Sequence, residues 1–138
     1  IPRSAEFSVD LRDPDEARLQ QAEAKLAAFL EHIAKQEGVS ISTERLVRFE
    51  PVVFDADLVQ HIAAVTTQLG LSQRRMTSGA GHDAQMLARI APAAMIFVPS
   101  HLGISHNPKE HTDAAQLCQG AQVLLATVER CLAAPIEA

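Results

Sequence analysis

An α/β fold is predicted by three features: a period-two apolar alternation near the start, an uninterrupted apolar run near residue 95, and helix-length amphipathic stretches between and after them. EFSVDLR at 6–12 sets Phe7, Val9 and Leu11 against Ser8, Asp10 and Arg12, the pattern of a half-buried strand. AAMIFV at 93–98 contains no polar side chain, as expected of a strand covered on both faces in a parallel sheet packed by helices.

The first strand is expected so close to Ile1 that a preceding segment is implied. Asp13 is then read as a helix cap, with Pro14 in the first helical position and Glu16 completing a capping box. Ala22, Leu26, Phe29, Leu30 and Ile33 form the apolar stripe of that helix, and Gly38 ends it. VSISTERLVRF at 39–49 alternates again, with Val39, Ile41, Val47 and Phe49 on one face. The first third therefore reads as a β-α-β unit. Glu50-Pro51 interrupts it, since proline cannot continue a central ladder. Asp55 begins a helix carrying Leu58, Ile62, Val65 and Leu69, closed by Gly70. A short strand over 74–77, a glycine turn and a short helix over 83–90 follow. A final helix spans 113–132, capped by Thr112.

Composition excludes several function classes. The formal net charge is −5 and no run of Lys or Arg occurs, which argues against a grip on a phosphate backbone. Trp and Tyr are absent, so bases would find no stacking platform. No apolar run approaches the twenty residues of a membrane span. Cys118 and Cys131 lie roughly 220° apart around one predicted helix and cannot pair with each other. Two free thiols and no signal-like start fit a reducing cytoplasm.

Two loops beyond predicted strand ends carry the candidate chemistry, the usual location in α/β layers. In SGAGHDA at 78–84, the glycines are expected to permit positive φ and close approach of a ligand. They deliver His82 to the start of a helix, where it either contacts a substrate or is an exposed neighbour of the cap. In PSHLGISHNPKE at 99–110, Pro99 and Pro108 give His106 a rigid placement suited to a metal ligand, whose nitrogen must sit about 2.0 Å from the ion. His101 and His111 either complete a three-histidine zinc site or are solvated. Glu110 either orients His106 or occupies the approach to the last helix. Arg12 either faces a ligand or pairs with Asp10.

The order EFSVDLRDPDEA, SGAGHDAQ, AAMIFVPS, GISHNPKEHT strongly resembles the C-terminal part of the di-zinc amidohydrolases that hydrolyse N-carbamoyl-L-amino acids, allantoate and β-ureidopropionate. The resemblance runs essentially the whole length. It implies the C-terminal part of a mixed-sheet, zinc-exopeptidase-like catalytic domain at 51–138, preceded at 1–50 by the β-α-β half of a ferredoxin-like lid through which such enzymes dimerise. It also implies His106 as a zinc ligand, His82 with the Gly81 backbone as the substrate-contacting group, and Arg12 as the clamp on a substrate carboxylate. The implied cofactor is zinc, two ions per active site, with manganese, cobalt or nickel as alternatives. The implied partners are a small ureido or N-carbamoyl amino acid and a second copy of the chain, with neither nucleic acid nor membrane. In the family the remaining metal ligands and the general-base glutamate come from earlier in the chain, so these residues alone are expected to be inactive. Two other readings stay open: a non-catalytic binding or assembly domain, and a zinc aminoacylase or peptidase of the same superfamily.

Overall fold

The structure is a computed structural model and describes residues 3–133. It forms two compact units that divide between Val52 and Val53.

In the first unit, α1 spans Glu16–Glu37. Its cap is Asp15 rather than Asp13: the Asp15 carboxylate accepts the Arg18 amide at 2.9 Å. Asp13 instead accepts the Asp15 amide at 2.8 Å and the Arg18 guanidinium. Pro14 thus lies one residue before the cap, because it is the Asp15 carboxylate that reaches an amide three residues on inside the first turn. Gly38 ends the helix at φ +66°, and its N–H and that of Val39 both donate to the Ala34 carbonyl. Leu19 is the buried residue of α1, whereas Phe29 lies exposed. Arg48, from the segment after α1, bonds Glu16 at 2.5 Å and Glu23 at 2.8 Å. The Arg48 guanidinium, followed by the Gln20 amide, lowers the Glu16 carboxyl below its ordinary range.

In the second unit, α2 spans Ala56–Gln68 and α4 spans Ala114–Ala133, and the two helices pack together. Asp55 caps α2 through the Leu58 amide at 2.7 Å, and Gly70 follows it at φ +69°. The core of the pair is Ala63, Val65 and Thr66 with Val123 and Thr127. Both buried threonines satisfy their hydroxyls on the carbonyl four residues back, Ile62 and Val123, at 2.7 Å, which removes the cost of an unpaired buried O–H. Of the expected Leu58, Ile62, Val65, Leu69 stripe, Val65 is buried and Leu58 and Ile62 are half-buried, whereas Leu69 is exposed. The carbonyl of Asp113 receives the first bonds of α4, from Gln116 and Leu117. Cys118 is exposed and Cys131 half-buried, with its Sγ 4.0 Å from His61 Nδ1 of α2.

The expected strands are not formed among the described residues. Among the described residues, 6–12, 39–49, 74–77 and 93–98 form no strand and exchange no ladder bonds. A strand exists only through its neighbour, and no described segment lies beside these in hydrogen-bonding register. Phe7, Val47 and Phe49 are accordingly exposed, and 93–98 is only partly covered, with Phe97 exposed. Its observed fixings are an Ala93 carbonyl accepting the Asp55 amide at 3.0 Å and the close approach of Gly120 on α4 to Val98.

Candidate functional site

A depression of about 310 Å³ in the second unit is lined by residues 76–80, His82, Phe97, Ser105 and His106. It brings together two histidines that lie 24 positions apart, one from each candidate loop.

His82 is the cap of α3, Asp83–Leu87, a helix shorter than the expected 83–90. Its extended backbone is tied to that helix twice: its N–H donates to Gln85 Oε1 at 3.4 Å and its carbonyl accepts the Gln85 amide at 2.9 Å. The half-buried imidazole meets Phe97 edge to face, with ring centroids 5.9 Å apart. Gly79 and Gly81 are not among the positive-φ glycines, so the expected left-handed turn is not how they act. At Gly81 a Cβ would meet nothing nearer than Gln85 Oε1 at 3.6 Å. What that glycine supplies is a bare backbone beside His82.

His106 has φ +54°, a conformation that costs a residue with a Cβ. Its N–H donates to Glu110 Oε2 at 2.6 Å, so the glutamate holds the backbone of His106. At the loop base the His101 amide donates to the His111 carbonyl at 2.7 Å, and the Ser100 hydroxyl donates to the Ile104 carbonyl. A 3-10 turn over His101–Gly103 fills the interval. His101 and His111 are exposed and lie outside the depression, and His111 sits 3.4 Å from Asp113.

Arg12 belongs to the first unit. Its exposed guanidinium grips Asp10 through Nε at 3.0 Å and through Nη2, and that contact lowers the Asp10 carboxyl below its usual range.

Zinc sites use three or four protein donors. Among the described residues no group of three or more His, Cys, Asp or Glu side chains is placed to hold a metal, so the three-histidine site does not form. His106 fits as a single imidazole donor at the edge of the depression. Among the described residues no carboxylate or cation lines the depression; its polar side chains are the two imidazoles and the hydroxyls of Thr77, Ser78 and Ser105. Sequence reasoning missed Phe97 and Ser105. The one signal for Phe97 was an aromatic ring in a run leading straight into the histidine loop.

The family model described as peptidase family M20/M25/M40 matches residues 5–130. An allantoate amidohydrolase of Bacillus subtilis (strain 168) is 40% identical over 124 residues, covering 90% of this chain and 30% of that protein. An N-carbamoyl-L-amino-acid amidohydrolase of Rhizobium meliloti is 38% identical over 128 residues, covering 93% and 31%. Among solved structures, an amidase of the hydantoinase/carbamoylase family from Burkholderia vietnamiensis superposes with a TM-score of 0.75 at 40% identity, covering 85% of this chain and 29% of that one. The chain thus spans about 30% of the length of the curated relatives it matches.

Proposed function

Because the chain belongs to peptidase family M20/M25/M40, whose amidohydrolases generally use a metal cofactor, we propose that it forms part of a zinc-dependent, cytoplasmic hydrolase. The hydrolase cleaves the C–N bond of an N-carbamoyl-L-amino acid or a related ureido acid such as allantoate. The observation that carries this reading is the convergence of His82 and His106 on one depression. Residues 1–50 are then the second half of a lid domain, and 51–138 the C-terminal part of the catalytic domain.

His106 is the metal donor supplied by this chain, and the other donors lie outside it. When bound, zinc supplies Lewis-acid polarisation of the scissile carbonyl and activation of a water. His82, braced by Phe97, donates a hydrogen bond to the oxyanion that develops on that carbonyl, a contact often worth about 2.7–4 kcal/mol. The bare backbone at Gly81 admits the substrate beside it. Arg12 already holds a carboxylate in its planar fork, and a substrate carboxylate of the same geometry can take the place of Asp10. Among the described residues no carboxylate lines the depression to serve as general base, which supports the reading that this part of the hydrolase does not turn over by itself. The extended, apolar-faced segments around Phe7 and Phe49 support pairing of two lids across a two-fold axis.

In the full-length protein, His106→Ala should lower bound zinc and abolish activity, while His101→Ala leaves both near wild type. Equal damage from the two variants would remove His106 from the metal site.

A further inference from the structure

The turn from His106 to Glu110 is closed by three hydrogen bonds. The Glu110 carboxylate accepts the His106 amide at 2.6 Å, the Asn107 carbonyl accepts the Glu110 amide at 2.8 Å, and Asn107 Oδ1 accepts the Lys109 amide at 3.0 Å. Pro108, with a fixed φ and no N–H, sits inside the turn. Two of these bonds hold Glu110 in place, and the third lets it act on His106.

His106 needs that help. Its φ of +54° is one that non-glycine residues seldom adopt unless the surroundings enforce it. A relaxed φ at this position would re-aim the imidazole relative to the other residues that line the depression. We infer that Glu110 is a positioning residue for His106, acting through the main chain: it fixes the left-handed backbone that aims the imidazole into the depression, and does so as a hydrogen-bond acceptor of the right length rather than as a charge. This rests on the reading of His106 as a metal donor only for its consequence on zinc, because the backbone effect is present without metal.

Three substitutions in the full-length protein separate the roles. Glu110→Gln keeps an Oε acceptor at the same reach and loses the charge. Glu110→Asp keeps the charge and shortens the reach by one methylene. Glu110→Ala loses both. In metal-free protein with isotope-labelled histidine, exchange of the His106 amide proton should accelerate at least about tenfold in the Ala and Asp variants and stay within about threefold of wild type in the Gln variant. Zinc affinity, measured by competition with a chelator, should fall about 10- to 100-fold in the Ala and Asp variants, the range usual for a lost supporting partner of a ligand, and be kept by Gln. Midpoints of thermal unfolding should not follow that order. Wild-type amide exchange in Glu110→Ala would overturn the inference, and so would an Asp variant that behaves as wild type while Gln fails, since charge would then be the operative property. His106→Ala that retains its zinc would instead overturn the metal reading, and the exchange measurement would still decide the role of Glu110.

Discussion

The imidazole of His82 stands edge-on to the ring of Phe97, with centroids 5.9 Å apart and planes inclined by 70°. One residue caps a short helix and the other lies on an extended segment, so this contact joins the first candidate loop to the segment that leads into the second. Aromatic pairs of this geometry contribute about 0.5–1.5 kcal/mol beyond the area they bury.

Phe97→Leu keeps an apolar side chain and removes the ring that meets His82 edge to face. In the full-length protein it should lower kcat/KM by about two- to tenfold, the rate equivalent of that contact. Most of the loss should fall in kcat, since an oxyanion contact strengthens only in the transition state. Steady-state kinetics would check this, and an unchanged kcat would show that His82 needs no brace.

Gly120 of α4 lies against Val98 of the 93–98 segment. A Cβ there would run into Val98 Cγ1, and a β-branched side chain cannot swing aside cheaply. Gly120→Ala should destabilise the protein by about 1–3 kcal/mol through overpacking, despite alanine's better helix propensity. Denaturant unfolding is the measurement, and Gly120→Ala with Val98→Ala should recover most of the loss.

The first unit should weaken in acid. Arg48 lowers the Glu16 carboxyl below its ordinary range, so the folded state binds that proton less readily than the unfolded state does. The resulting stability is fully present above the ordinary glutamate range and is lost as pH falls through the lowered value. The side chains are only half-buried, Arg48 at 20% and Glu16 at 34% exposure, so salt should reduce the effect in part. Unfolding midpoints across the acid range should fall less steeply in Arg48→Met than in wild type, and identical slopes would show that the pair carries no linkage.

What the sequence by itself determined is the set of features whose causes lie within a few residues. Asp55, Gly38 and Gly70 marked helix ends because a cap acts on amides or carbonyls in the adjoining turn, and they stand where expected. The same local rule miscast Asp13, since two aspartates flank Pro14 and only the folded backbone shows which carboxylate reaches the Arg18 amide. Alternation at 6–12 and 39–49 disclosed a two-sided chain but not a sheet, because ladder bonds require a second strand that no described residue provides. Helix periodicity gave a stripe but not its exact bearing: Ala63, Thr66 and Thr127 are buried because α2 and α4 meet along that line. Only the tertiary structure decided that His82 and His106 share one depression with Phe97 between the loops. It also decided that Glu110 bonds the backbone of His106. Both outcomes depend on the loop's left-handed turns, and a preference of a few kcal/mol against positive φ at a histidine is reversed only by contacts that exist once the chain has folded.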